Sequence, residues 1–333
     1  MDNEKKESLL SISASPHIRT DEDTRSIMLD VLIAMVPALA AAAYMFGLRA
    51  IMNTLLSVLG CVFFEWAYRK LMKKSQSVGD LSAAVTGVLL AYTLPVSIPW
   101  WIILIGDAFA ILLVKQLFGG IGKNFMNPAL AARAFLFSWP VAMTKWVQPL
   151  SYRSFFSMNM ADAVTTATPL ATMSSGSLPE NVTLLQTFFG QVGGSMGEIS
   201  AFALLLGGVY LLIRKVISIR IPAAFLGTVA VLSFLFPQGN PRFTWMLWQL
   251  LSGGVLLGAI FMATDYTTSP VNPRAQIVFG VGCGALTIFI RYFGSYAEGV
   301  SYAILIMNAT VWLLDKALPQ KRFGAVKTKK EAA

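Results

Sequence analysis

SIMLDVLIAMVPALAAAAYMFG, Ser26–Gly47, settles what kind of protein this chain is. It runs for 22 residues with one charge, Asp30. A helix crossing a lipid hydrocarbon core needs about 20 mostly apolar residues, since each advances the chain by ~1.5 Å. A surface helix of a soluble protein would alternate an apolar stripe with a polar face; here apolar side chains surround the axis. Further apolar runs lie near 50–67, 80–95, 100–118, 127–144, 196–213, 222–237, 243–263, 276–292 and 299–315. Those at 80–95 and 222–237 are short for a full crossing. The whole chain of 333 residues is 56% hydrophobic and 13% charged, against about 25% charged in soluble domains. The expectation is an all-α integral membrane protein with about ten transmembrane helices.

Ten spans place both termini on one side. With the N-terminus inside, twenty Lys and Arg fall on inner segments and five on outer ones, namely Arg49, Lys145, Arg153, Arg242 and Arg291. Basic residues concentrate on the cytoplasmic side of membrane proteins, so both ends are expected to be cytoplasmic. The net charge of +9 therefore reads as orientation, not as nucleic-acid binding. The expected divisions are a cytoplasmic N-terminal segment (1–25), a first five-helix half (26–144), an extracytoplasmic loop (145–195), a second five-helix half (196–315) and a basic cytoplasmic tail (316–333). The N-terminal segment lacks the apolar core of a signal peptide. Cys61 and Cys283 sit far apart in apolar runs and His17 is the one histidine. That is too few ligands for an iron–sulfur cluster, which normally takes four.

Five spans followed by five give halves of opposite topology, the arithmetic of an inverted repeat. Gly87-Val88-Leu89-Leu90 recurs as Gly254-Val255-Leu256-Leu257; chance similarity between apolar helices accounts for it equally well. Such a layout suits a small-solute channel or transporter. Asn127-Pro128 and Asn272-Pro273 read as helix starts with proline in the first turn.

The outer loop contains Asp162-Ala163-Val164-Thr165-Thr166-Ala167-Thr168. This matches D-x-x-[ST]-[GST]-A-T, the acceptor pattern for covalent FMN, in which the last threonine carries the flavin through a phosphoester. Thr168 would be the acceptor, with Asp162, Thr165, Thr166 and Ala167 completing the attachment motif. A flavin transferase performs this attachment outside the cytoplasm, the side to which the charge count assigns the loop. A threonine-rich turn or helix cap is the plainer reading of the same residues.

Five stretches taken together resemble the RnfD/NqrB family of membrane flavoproteins, and within it the Rnf member. They are Ser15-Pro16-His17; Asp80-Leu81-Ser82 through Leu94-Pro95; Gly119–Asn124 with Asn127-Pro128-Ala129; the Asp162–Thr168 motif; and Thr264-Asp265-Tyr266 with Ser269-Pro270. They occur in order along nearly the whole chain. One departure is Thr165-Thr166, where many members carry Ser-Gly. The resemblance implies a fold similar to urea channels. It implies a subunit that carries electrons through covalent FMN, in a complex coupling ferredoxin:NAD electron transfer to Na⁺ or H⁺ translocation across a bacterial or archaeal cytoplasmic membrane. The implied partners are the other Rnf subunits, among them an FMN-bearing extracytoplasmic subunit and a peripheral NAD-binding subunit, and the flavin transferase during maturation. A non-covalent riboflavin toward the inner side is implied by the quinone-reductase relative. An NqrB-like role in a sodium-pumping quinone reductase is the alternative within the family.

Ionisable residues at membrane depth are costly and often mark ion paths. Asp107 lies mid-span, with Lys115 too far along the helix for a simple pair, and is the leading ion-path carboxylate. Asp265, followed by Tyr266 and the hydroxyls of Thr267, Thr268 and Ser269, reads either as an ion- or flavin-contacting corner or as a polar helix end. Glu65 reads as a salt bridge to Arg69. Arg133 would either neutralise a flavin phosphate or pair with an acid. Trp100, Trp101, Trp139, Trp245 and Trp248 lie near span ends and suggest an interfacial belt.

Overall fold

The computed structural model describes residues 22–151, 155–156, 166–179, 182–294 and 298–319, and these contain helices and no β-strand. Helix α1 (Thr24–Phe46) starts at a reciprocal cap: Asp23 accepts from Ser26 N, and the Ser26 side chain pairs with the Asp23 backbone. After α2 (Leu48–Leu71) come α3 (Ser82–Tyr92) and α4 (Trp100–Ala108), which continues as a π-helical stretch, Phe109–Gln116. Then follow α5 (Pro128–Leu136), α6 (Pro140–Met143), α7 (Pro169–Met173) and α8 (Leu184–Phe189). The second half holds α9 (Ala201–Ile213), α10 (Arg220–Leu235), α11 (Arg242–Leu251), α12 (Val255–Leu257) with a π-helical extension Gly258–Met262, α13 (Pro273–Phe293) and α14 (Val300–Ala317).

Every expected apolar run holds a helix, but they differ in length. Three helices, α1, α2 and α13, are long and apolar enough to cross a membrane, and a fourth span results if α11 and the Val255–Met262 segment count as one helix bent by 62°. Helices α3, α9 and α10 are apolar but shorter. The expected run at 127–144 is divided between α5 and α6, because Pro140 cannot continue the hydrogen-bond ladder. Asn127 and Asn272 cap α5 and α13 as expected, each side chain accepting backbone N–H groups beside a first-turn proline.

Glycines let the helices approach closely. A Cβ on Gly87 of α3 would lie 2.8 Å from the Ser57 carbonyl oxygen of α2, and one on Gly207 of α9 would overlap the Ala34 carbonyl oxygen of α1. Helix α2 packs on α3 and α4, α10 packs on α11 and α13, and α1 packs against α9. Helix α10 thus has two partners in the second half, as α2 has in the first. Asp30 of α1 ties the halves by accepting from Tyr210 Oη at 2.8 Å and from Arg214 Nη2 at 3.1 Å, both from the end of α9.

The tryptophan belt needs correction. Trp100 and Trp101 are exposed, but Trp245 and Trp248 are buried. They form a small core with Leu170 and Met173 of α7, and Trp245 Nε1 donates to Tyr292 Oη at 2.9 Å. The segment after Thr168 covers this end of α11, so its tryptophans face protein instead of headgroups.

Candidate functional site

Thr168 is the residue on which the sequence motif converges. It is extended, only 9% exposed, and caps α7 by accepting from Ala171 N at 3.2 Å. The helix-cap reading therefore describes its conformation. Asp162 and Thr165 lie outside the described residues. Thr166 N donates to Trp146 O at 3.2 Å, and a Cβ on Gly193 would overlap Thr166 Cγ2. The motif is thus pressed against the loop that leads into α9.

Two concavities meet at this point. Thr168 lines a chamber of about 20 Å³ together with Thr187, Ser195, Glu198, Ser252 and Glu298, room for about one water molecule. Beside it, across Pro169, Val192 and Gly193, opens a cleft of about 370 Å³ lined by Thr166, Ala167, Gln148 and Gln191. Small-molecule sites run from roughly 300 to 1,000 Å³, so the cleft admits a flat cofactor head where the chamber does not.

The chamber's floor is ionic. Arg133 of α5 donates through Nη1 to Glu198 Oε1 at 2.9 Å, and its Nη2 pairs with Glu298. Of the two roles open to Arg133, pairing with acids is the one observed. Glu198 Oε2, Ser195 Oγ and Ser252 Oγ are buried without a hydrogen-bond partner, and all three side chains line the chamber. Next to them the chain breaks between α11 and α12. Gly253 has φ +70, a backbone state that favours glycine. A Cβ on Gly254 would lie 2.6 Å from Glu198 Oε1. Arg291 of α13 satisfies the carbonyls freed at the break, donating to Gln249 O at 2.6 Å and to Ser252 O at 2.9 Å. Irregular backbone at membrane depth persists only when protein groups replace the missing helical bonds.

A third concavity sits at the opposite end of α9. It is lined by Ser82, Lys115, Asn124, Thr264 and Asp265, among others. Asp265 accepts from Thr267 Oγ1 at 2.9 Å and Thr268 Oγ1 at 3.1 Å, so it is both a polar helix end and a cavity wall. Lys115 Nζ donates to Glu65 Oε2 at 2.8 Å and to Ser82 Oγ at 2.6 Å. Glu65 also accepts from Gln116 Nε2 at 2.9 Å. The expected Glu65–Arg69 ion pair is present, with Arg69 Nε 3.8 Å from Glu65 Oε1, and Lys115 adds a second, tighter one. Asp107 is separate from these concavities. It is buried, accepts from Ser57 Oγ at 2.6 Å and Cys61 Sγ at 3.3 Å, and its Oδ2 has no partner. Cys61 is therefore a polar neighbour as well as a packing residue. No group of three or more His, Cys, Asp or Glu suited to a metal ion occurs among the described residues.

Glu198, Glu298 and Arg291 escape a sequence reading, because their partners lie far away along the chain. The local signal is the pair Gly253-Gly254 directly after an apolar run.

Similarity to known proteins extends over nearly the whole chain. It is 48% identical over 326 residues to the D subunit of the Na(+)-translocating ferredoxin:NAD(+) oxidoreductase complex of Acetobacterium woodii, covering 97% of this chain and 98% of the relative. It is 40% identical to the D subunit of the proton-translocating ferredoxin:NAD(+) oxidoreductase complex of Clostridium ljungdahlii, covering 96% and 97%. It is 39% identical to the D subunit of the ion-translocating oxidoreductase complex of Stutzerimonas stutzeri, covering 90% and 91%. Residues 11–324 match the model described as the NQR2, RnfD, RnfE family, and the chain belongs to that family.

Proposed function

We propose that this chain is the RnfD-type membrane subunit of an ion-translocating ferredoxin:NAD oxidoreductase, carrying electrons through FMN joined covalently to Thr168. The observation that carries the reading is that Thr168 lines the small chamber while its neighbours Ala167 and Pro169 line the adjoining cleft of about 370 Å³. Ala167, small and exposed, lines the cleft. Bound FMN would supply the redox centre, taking up electrons and passing them on. The chain's own residues would hold the site: Thr168 would provide the attachment oxygen, the cleft would receive the flavin head, and Arg133 anchors Glu198 just before α9. A non-covalent riboflavin is the second cofactor of this reading.

The proposed arrangement in the membrane is ten spans in two inverted five-helix halves, both termini cytoplasmic and the Thr168 segment outside. The packing of α2 on α3 and α4, and of α10 on α11 and α13, supports it. Asp107 and Asp265 are the proposed ion-path carboxylates, for Na⁺ or H⁺. The proposed partners are the other Rnf subunits, including an FMN-bearing extracytoplasmic subunit and a peripheral NAD-binding subunit, with a flavin transferase during maturation.

The test is in-gel flavin fluorescence of the wild type and Thr168→Ala, each co-expressed with an active flavin transferase. A fluorescent band near 36.2 kDa in the wild type alone is the expected result. A dark wild-type band, with the transferase active on another acceptor, would sink the covalent-flavin reading and favour a channel of similar fold.

A further inference from the structure

A different region carries a binding site of its own. Helix α2, long and apolar enough to cross a membrane, exposes Leu59, Phe63 and Trp66 on one side. Together with Val62, Gln76 and Val78 they line an open groove of about 470 Å³. The turn after α2 forms its far wall and is pinned by Arg69, whose Nη1 donates to Ser75 O at 2.6 Å. From Leu59 to Trp66 the groove extends about 10 Å along the helix.

The end of the groove is basic. Lys70 Nζ lies 4.7 Å from the centroid of Trp66, which itself lines the groove, and Lys74 Nζ lies 5.2 Å from that of Tyr68. Lys73 adopts φ +52 in the turn between them. All three lysines are exposed, and none has an ion-pair partner among the described residues. Arg69, by contrast, is occupied by Glu65 and Ser75. A stem of apolar wall thus leads to three uncompensated positive charges where a membrane helix emerges.

We propose that this groove binds an anionic phospholipid, with an acyl chain along Leu59, Phe63 and Trp66 and the headgroup phosphate at Lys70, where the nearby charges of Lys73 and Lys74 add to the attraction. The chemistry distinguishes it from its rivals. A zwitterionic headgroup brings its own ammonium and would leave the lysines uncompensated. A free phosphate would have no use for the apolar wall. Basic clusters at the membrane surface bind anionic lipid with about 1 kcal/mol per Lys, so loss of all three charges weakens binding on the order of 100-fold.

The experiment is native mass spectrometry of the full chain released from detergent. It is titrated with diphosphatidylglycerol, with phosphatidylcholine, and with diphosphatidylglycerol plus excess inorganic phosphate. Wild type should retain diphosphatidylglycerol and not phosphatidylcholine, with no displacement by inorganic phosphate. K70Q/K73Q/K74Q should lose retention on the order of 100-fold, Phe63→Ser should weaken it, and K70R/K73R/K74R should restore it, which separates binding from folding. Equal retention by the Gln variant, equal uptake of phosphatidylcholine, or displacement by inorganic phosphate would each overturn the proposal. So would a photo-crosslinker at position 63 that joins another subunit instead of lipid in the purified complex.

Discussion

Arg133→Gln is the substitution with the largest consequence for the chamber under Thr168. Arg133 is 2% exposed and neutralises two acids at once, bonding Glu198 Oε1 at 2.9 Å and pairing with Glu298. A glutamine amide cannot reach both and carries no charge. Two carboxylates would then lose the cation that bonds them both. Removing one partner of a buried ion pair costs about 3–5 kcal/mol. At ~2–4 °C per kcal/mol for chains somewhat shorter than this one, the apparent unfolding midpoint should fall by about 6 °C or more. Tryptophan-fluorescence melting in detergent at a fixed scan rate measures it. Trp245 and Trp248 report the same end of the molecule. The double variant Arg133→Gln/Glu198→Gln should lose less than the single, because it removes one of the stranded charges. A single variant that melts with the wild type, or a double variant no better than the single, would refute the account of Arg133 as the chamber's charge balance.

Lys115→Met should behave similarly at the other end of α9. It removes the tighter of the two cations at Glu65, so its midpoint falls by several degrees and is partly restored by adding Glu65→Gln, checked by the same melting curves. Asp107→Asn should reduce ion uptake into vesicles by the purified complex more than it reduces flavin content; normal pumping would end its ion-path role. Gly87→Val should abolish α2–α3 packing, since even a Cβ would meet the Ser57 carbonyl oxygen at 2.8 Å, and should show as loss of monodisperse protein on size exclusion. Gly254→Ala should disturb Glu198, at 2.6 Å from the added carbon, and lower flavin incorporation while leaving the chain in the membrane.

Features with local causes are legible in the sequence. The run at Ser26–Gly47 and the Asn-Pro starts of α5 and α13 depend on neighbours within one or two turns, and they form where expected. Thr168 is singled out by a seven-residue pattern and sits where two concavities meet. The polar contacts of the interior are another matter. Lys115 meets Glu65 across 50 positions and Arg133 meets Glu198 across 65. No periodicity links such pairs, so sequence proximity finds Arg69, the looser of the two cations at Glu65, and misses Lys115. The tryptophans of α11 mislead for a related reason. They do lie within the apolar run at 243–263, but the cover supplied by Leu170 and Met173 comes from a distant segment.

The short α3 has an electrical consequence. Its eleven residues extend about 16 Å, roughly half of a ~30 Å hydrocarbon core, and the cavity beside Asp265 and the small chamber beside Thr168 lie at opposite ends of α9. An electric potential drops most steeply across the thinnest insulating layer. With a span of this kind in the membrane, most of the drop would fall on the septum built from α3 and the Val255–Met262 segment. A charge moved only across that septum would then do nearly the full electrical work of a complete crossing, about 2.3 kcal/mol per 100 mV, over about half the distance.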